Sequence, residues 1–351
     1  MLKLKNYLIL LLLLTFTFLT GCTNEYWEYH DKIVDQAEQE VRANSTSKSF
    51  NLNNIEYRDL DILSSPDKTI IDKIIGRING AKSRIYLETY IFTEKRILKA
   101  ILDAKLRGID IKIILEKNVF GAGNINKKTF EALQNAGVEV VYANPTNYNF
   151  THAKFFLIDS EYIISTGNMS YSTFTINKEF FAFGKNINDL NILEDIFLND
   201  FVGKKYIICN QTLTISPICP RNQIEQTLNS AKNEILIYEQ SIDDINIQNL
   251  LIKKAKSGVS VKILIGDMNK IKNNKEVIKL FSANGINIKS PKKPYIHAKA
   301  FLVDQKIVYI GSINFTYNSI QNNREIGIIF INEAISLYFK NEFERLFANT
   351  Q

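Results

Sequence analysis

His152-Ala153-Lys154-Phe155-Phe156-Leu157-Ile158-Asp159 and His297-Ala298-Lys299-Ala300-Phe301-Leu302-Val303-Asp304 are two copies of one pattern, His-x-Lys-x4-Asp, 145 positions apart. In each copy the His-x-Lys pair opens an apolar run of strand length. Alternate residues of a strand share a face, so imidazole and ammonium are predicted to point the same way. Each copy runs on to a small-small-x-Asn segment, Ser165-Thr166-Gly167-Asn168 or Gly311-Ser312-Ile313-Asn314, and then to an acid, Glu179 or Glu325. A single histidine on an apolar strand is usually a packed core residue. Here two of only three histidines fall in matched contexts, and repetition overrides that reading. His30 lacks such a context and is given no role.

The repetition extends outward. Ala81-Lys82-Ser83-Arg84-Ile85 aligns with Ala231-Lys232-Asn233-Glu234-Ile235, each starting an apolar strand after a helical pattern. Arg107-Gly108-Ile109-Asp110 aligns with Ser257-Gly258-Val259-Ser260, in each case a helix stopped by glycine before an alternating strand. Asn135-Ala136-Gly137-Val138 matches Ala283-Asn284-Gly285-Ile286, and Ser65-Pro66 and Ser216-Pro217 mark equivalent entries. The order of elements never changes, which predicts an α/β duplication with halves at 59–204 and 212–349. A length of 351 residues suits two packed halves, and 45% hydrophobic with 23% charged residues is an ordinary globular composition that excludes general disorder.

Before these halves lies a different kind of chain. Lys3 and Lys5 precede an apolar run from Tyr7 to Leu19, the layout of an export signal over residues 1–21 and too short for a comfortable membrane span. The run ends in Leu19-Thr20-Gly21-Cys22, which resembles the lipobox of bacterial lipoproteins. That resemblance implies a lipid on Cys22 and an exported protein anchored on the extracytoplasmic face, with polar residues 22–58 as a tether. Without Lys3 and Lys5 the formal charge of +6 falls to +4, which favours anionic partners without choosing among them. Cys209 and Cys219 are the remaining cysteines; an oxidising compartment would permit them to pair, and a reducing one would leave two thiols.

Two His-x-Lys-x4-Asp copies, each with a trailing small-small-x-Asn, resemble the phospholipase D superfamily over roughly residues 60–349. The resemblance implies duplicated repeats, each a mixed β-sheet flanked by helices, with one active site between the halves. It also implies a phosphohistidine intermediate resolved by water or another alcohol. The first copy departs from the family pattern: five residues rather than six follow Asp159, and Ser165 stands where glycine is usual. A shortened turn accounts for this, since His152 to Glu179 spans 27 positions and His297 to Glu325 spans 28.

The residue types fit the chemistry. Phosphodiester cleavage needs a nucleophile, an acid for the leaving alkoxide, and donors for the nonbridging oxygens. Histidine can attack as imidazole or donate as imidazolium near neutral pH. By analogy with the family, His152 is assigned as nucleophile and His297 as acid, and Glu179 and Glu325 hold the other ring nitrogens. Lys154, Lys299, Asn168 and Asn314 are assigned to the phosphoryl oxygens. Asp159 and Asp304 belong to the same candidate set, as structural partners at the strand turn. No cofactor or metal is expected, because a lysine two residues from each histidine would repel a cation. Lys289, Lys292 and Lys293, spaced by Pro291 and Pro294, either steer an anionic substrate or form a solvated loop.

The leading functional expectation is hydrolysis of phospholipid headgroups at a membrane surface. The alternatives are an extracytoplasmic nuclease on DNA or RNA, a cardiolipin synthase-like phosphatidyltransferase, and a catalytically silent binding module. One short apolar run, rather than two N-terminal membrane helices, weighs against the transferase. Intact His, Lys and Asn in both copies weigh against the silent module. Loops 117–126 and 266–275 are expected to line the selective pocket.

Overall fold

The computed structural model describes residues 50–350. The expected signal segment, Cys22 and the tether as far as residue 49 lie outside the described residues.

The first half runs β1 (Asp61–Ser65), α1 (Thr69–Gly80), β2 (Arg84–Thr89), α2 (Lys95–Leu106), β3 (Asp110–Leu115), α3 (Lys127–Asn135), β4 (Glu139–Tyr142), β5 (Lys154–Ile158), β6 (Glu161–Ser165), α4 (Tyr171–Thr175), β7 (Asn177–Gly184) and α5 (Ile187–Phe201). The second runs β8 (Leu213–Ile215), α6 (Cys219–Asn229), β9 (Glu234–Glu239), α7 (Ile245–Lys256), β10 (Ser260–Ile265), α8 (Lys272–Ala283), β11 (Asn287–Lys289), β12 (Tyr295–Ile296), β13 (Lys299–Val303), β14 (Ile307–Gly311), α9 (Tyr317–Gln321), β15 (Ile326–Ile331) and α10 (Glu333–Asn349). The sheets have matching orders, β1-β7-β6-β5-β2-β3-β4 and β8-β15-β14-β13-β9-β10-β11, so the duplication holds in topology as well as in motif.

Local chemistry sets the element ends. Gly108 and Gly258 close α2 and α7 in left-handed conformations (φ 83° and 93°), where a side chain would be strained. Ile109 N–H then returns to Ala104 O, and Val259 N–H to Lys254 O, which turns the chain into the next strand. Side chains of Asn186, Asp244 and Asn332 cap α5, α7 and α10 by accepting first-turn N–H groups.

Strand alternation divides the apolar residues into layers. Ile85 and Leu87 of β2 face Ile70, Ile74, Ile97 and Ile101 of α1 and α2, whereas Tyr86 between them points to the other side. That other side is shared: Phe155, Leu157 and Phe180 of the first sheet join Leu236, Tyr238 and Ala300 of the second in one buried cluster. Leu193 and Phe197 of α5 and Phe339 and Phe343 of α10 complete it. The two sheets are therefore fused through one core, and each carries its other helices on its outer face.

The shortening after Asp159 sits in a hairpin turn. Ile158 pairs with Glu161 across two residues, whereas Val303 pairs with Ile307 across three. Beyond the turns the registers agree, with Phe155 opposite Ile164 and Ala300 opposite Ile310. Asp159 and Asp304 occupy these turns with φ of 50° and 49°. Asp159 accepts N–H bonds from Lys82, Ser83 and Arg84 at 2.8–3.0 Å, and Asp304 accepts them from Lys232, Asn233 and Glu234 at 2.8–2.9 Å. Their grouping with the catalytic residues is corrected accordingly: a five-residue strand carries each away from its histidine, and its lone pairs are spent on backbone. Cys209 and Cys219 are disulfide-bonded, with Cα atoms 5.4 Å apart, tying the start of α6 to the linker before β8.

Burial alone would raise the Asp159 carboxyl pKa, but the backbone N–H groups of Arg84, Lys82 and Ser83 outweigh it and pull it to about 2. A depressed carboxyl pKa stabilises the fold above the ordinary carboxylate range, and that contribution fades as pH falls toward 2. Asp159→Ala is expected to cost about 2 kcal/mol in urea unfolding at pH 7, on the scale of hydrogen bonds to a charged acceptor. The loss should shrink near pH 2, while turnover per folded molecule is retained.

Candidate active site

Each His-x-Lys sits just ahead of a strand, where the chain leaves its own sheet to touch the other half. Thr151 bridges to Arg324 and His152 N–H donates to Arg324 O at 2.8 Å. In the other direction β12 pairs in parallel with the start of β7, Tyr295 with Asn177 and Ile296 with Lys178, and Ala298 N–H donates to Lys178 O at 2.9 Å. Arg324 and Lys178 immediately precede Glu325 and Glu179. The backbone exchange therefore delivers each histidine to the acid of the opposite copy. His152 Nδ1 lies 2.8 Å from Glu325 Oε2, and His297 Nδ1 lies 2.7 Å from Glu179 Oε1.

With Nδ1 engaged by a carboxylate, Nε2 is the ring nitrogen each histidine presents for chemistry. Both imidazoles are 13% exposed and both glutamates fully buried. The acids are fixed by matched partners. Glu179 accepts from Thr166 Oγ1 at 2.7 Å and Asn177 Nδ2 at 3.1 Å; Glu325 accepts from Asn323 Nδ2 at 3.1 Å, with the Ser312 hydroxyl close enough to favour its charged form. Asn177-Lys178-Glu179 and Asn323-Arg324-Glu325 form a second repeated signature, Asn-basic-Glu, legible once the copies are aligned.

Lys154 and Lys299 are fully buried, and each donates its ammonium to the carbonyl of its own histidine. Lys299 also reaches Gln240 Oε1 at 3.1 Å and lies 3.2 Å from His297 Nδ1. The Oδ1 atoms of Asn168 and Asn314 are buried without a hydrogen-bond partner, so these amides are not committed to the fold. The structure thus brings His152, Lys154, Asn168, Glu179, His297, Lys299, Asn314 and Glu325 to one edge of the inter-half core. Tyr90, which the motif reading passed over, packs edge-on against His152 with centroids 4.7 Å apart.

The departure at Ser165 has a physical compensation. Ser165 Oγ accepts Gly167 N–H at 3.0 Å. In the second half Gly311 has no side chain to do this, and the Tyr309 hydroxyl accepts the equivalent Ile313 N–H at 3.3 Å. A Cβ at Gly311 would meet the Tyr309 hydroxyl at 2.4 Å, and one at Gly327 the Tyr309 ring at 2.4 Å. Serine with Ile163, or glycine with tyrosine, are alternative fillings of one turn.

Burial dominates the titration of the site. It lowers the His152 pKa to about 4 against the opposing pull of Glu325, with Lys154 and Lys299 lowering it further. Burial likewise lowers His297. Lys154 falls to about 7, chiefly by desolvation and also by repulsion from Lys299, although Glu325 holds it up. Lys299 is lowered by burial too, opposed by Glu179, Glu239 and Glu325. Glu179 and Glu325 go down despite their burial, because His297 and His152 and the lysines favour the carboxylates. Burial thus favours neutral imidazoles beside charged acids, and it brings Lys154 close to neutrality.

Residues 74–201 and 224–347 match the family described as Cardiolipin synthase, PLD-like domain, which together is well over half of the chain. The chain is 26% identical to the cardiolipin synthase of Clostridium perfringens (strain SM101 / Type A), covering 89% of this chain and 79% of that protein. It is 25% identical to cardiolipin synthase 1 of Bacillus anthracis, covering 81% and 65%. Among solved structures, the phosphatidylserine synthase of Haemophilus influenzae Rd KW20 shares the fold with a TM-score of 0.66 at 15% identity, over 86% of this chain and 90% of that one. Matched in both halves, with its two His-x-Lys copies gathered into one site, the chain belongs to the phospholipase D superfamily.

Proposed function

We propose that the protein is a phosphatidyltransferase that moves a phosphatidyl group between alcohols through a phosphohistidine, in the manner of a cardiolipin synthase. The crossed histidine–glutamate pairs support phosphoryl transfer: each fixes one tautomer and leaves Nε2 for phosphorus or for an alcohol proton. Similarity to cardiolipin synthases along most of the chain supports an alcohol, rather than water, as acceptor. On that similarity, transfer ranks ahead of the headgroup hydrolysis that the sequence alone had led with.

In this reaction His152 Nε2 attacks phosphorus of phosphatidylglycerol while His297 protonates the departing glycerol oxygen. The P–O bond to glycerol breaks and a P–N bond to His152 forms. Neutral His297 then takes the proton from the hydroxyl of a second phosphatidylglycerol, whose oxygen displaces His152 from phosphorus. Lys154, Lys299, Asn168 and Asn314 hold the nonbridging oxygens; loss of one such donor typically raises the barrier by about 3 kcal/mol. A second phosphatidylglycerol in place of water is the sole difference from headgroup hydrolysis.

Lipid attachment at Cys22 and an extracytoplasmic location are likewise proposed. The Leu19-Thr20-Gly21-Cys22 stretch supports them, as does the Cys209–Cys219 disulfide, a bond that persists mainly in oxidising compartments.

With phosphatidylglycerol vesicles the full-length protein should yield cardiolipin and glycerol in equal amounts, with phosphatidic acid a minor product; phosphatidic acid as the main product would restore the hydrolytic reading. His152→Asn and His297→Asn should each abolish turnover. Sulfate, a dianion throughout, should raise Tm below pH 7, where Lys154 is charged. Its affinity should weaken by up to about tenfold per pH unit above that, because binding must then re-protonate the amine. A sulfate effect flat from pH 6 to 9 would remove Lys154 from the anion site. Finally, Cys22→Ser should abolish incorporation of an alkyne-tagged fatty acid in cells, and undiminished labelling would reject lipidation at that residue.

A further inference from the structure

Phe120 is 85% exposed, and the loop around it is too well built to let the ring fold back. Val119 N–H donates to Gly123 O and Ala122 N–H to Val119 O, both at 3.0 Å, while Gly121 and Gly123 take left-handed conformations (φ 72° and 57°). The base is clamped by Asn126, whose side-chain amide donates to Tyr90 O and Glu116 O at 2.8 Å and accepts from Phe92 N–H at 2.8 Å. Asn274 makes the matching clamp to Gln240 O and Gly266 O in the second half. Ten positions separate Glu116 from Asn126 and eight separate Gly266 from Asn274, so the first half alone carries two extra residues here.

Where the finger stands is fixed by one side chain. The Tyr90 hydroxyl accepts Phe120 N–H at 2.7 Å, and the Tyr90 ring lies against His152. Phe120 thus projects one side chain away from His152, beside the candidate site. Its flanks carry exposed Lys117, Lys127 and Lys128 with no acidic residue from 117 to 128; the exposed Glu131, one helical turn on, lies 3.9 Å from Lys127 and leaves the cluster net cationic. Ile125, within the same loop, is also exposed at 43%. An apolar tip between cations matches an anionic bilayer, apolar below its phosphates.

We propose that residues 117–128 are a membrane-docking finger: Phe120 enters the acyl boundary of an anionic bilayer, and Lys117, Lys127 and Lys128 rest on lipid phosphates. The candidate site is thereby held at headgroup depth, where a phosphodiester can reach His152 without the lipid leaving the membrane. The purpose of docking rests on the phosphatidyl-transfer reading, but docking itself is measurable without turnover.

The chain has a single tryptophan, Trp27, so full-length Trp27→Phe/Phe120→Trp reports from the finger alone. In phosphatidylglycerol vesicles its emission should shift to the blue, and mid-chain brominated phosphatidylglycerol should quench most of it. Trp27→Phe/Leu106→Trp is the control. Leu106 is 88% exposed but ends α2, which leads into the start of β3, whereas the finger leaves the far end of β3. That site should remain unquenched even with the chain anchored. No quenching at 120, or equal quenching at both sites, would overturn the proposal. Phe120→Ser should lose most turnover of vesicle phosphatidylglycerol and keep that of monomeric dihexanoyl phosphatidylglycerol; equal loss on both would also overturn it. If the wild type turns over neither lipid while position 120 is quenched, docking stands and the transfer reading fails.

Discussion

The two halves are joined where it matters by a reciprocal backbone exchange. Residues 151–152 pair with Arg324 while 295–298 pair with 177–178, and each exchange ends one residue short of a glutamate. The crossed His152–Glu325 and His297–Glu179 contacts follow from that register, not from any property of the side chains. Neither copy is a site alone: each lends its histidine to the other's acid. The residues before the glutamates reinforce the joint. Buried Arg324 reaches Asp200 of α5 at 2.6 Å, and Lys178 reaches Glu342 of α10 at 2.9 Å, so the last helix of each half is tied to the other half's site strand. Removing one partner of such a buried pair leaves an uncompensated charge, which is why the joint resists slippage.

Concentrating this many ionisable groups out of water requires that some surrender their charge. Glu88, hydrogen-bonded by Thr151, is pushed up chiefly by desolvation and also by Asp200. Glu239, beneath Lys299 in the register of β9 and β13, is pushed well up by burial; the nearby amides of Phe315, Ser241 and Gln240 favour its charged form but none makes a well-formed hydrogen bond. Glu179 and Glu325 move the other way because each meets a histidine and a hydroxyl. Glu179 and Glu325 thus stand against the two lysines, while burial favours the protonated forms of Glu88 and Glu239.

Much of this was legible in the chain because duplication turns weak local signals into paired ones. The His-x-Lys copies, the Gly108 and Gly258 stops and the shared order of strands each recur at matched positions. The one-residue offset after Asp159 could be located in a turn from spacing alone. Pairing between strands far apart in sequence could not be read that way. Nothing in His152 or Glu325 indicates that they meet across the halves, since register belongs to the backbone exchange. The Ser165 departure was also opaque, because the acceptor it supplies to Gly167 is replaced in the second copy by a hydroxyl from a different position, that of Tyr309. Transfer and hydrolysis share every residue of the motif and differ only in which hydroxyl reaches the phosphohistidine, so the motif favoured neither.

The lowered histidine and lysine pKa values give the site its order of events. In the proposed reaction a neutral His152 is ready to attack, but His297, lowered by the same burial, lacks the proton that the leaving group needs. A phosphodiester anion settling among Lys154, Lys299 and the histidines reverses the balance that depressed them, since opposite charge at close range favours protonated His297 and Lys154. In the proposed reaction the acid is therefore made by the substrate's own charge. Both histidines keep Nδ1 on a glutamate, so in that reaction only the placement of phosphorus at Nε2 of His152 spares it the proton. Two nearly identical histidines then differ in role through what the bound diester presents to each, an electron-poor phosphorus to one and a departing oxygen to the other.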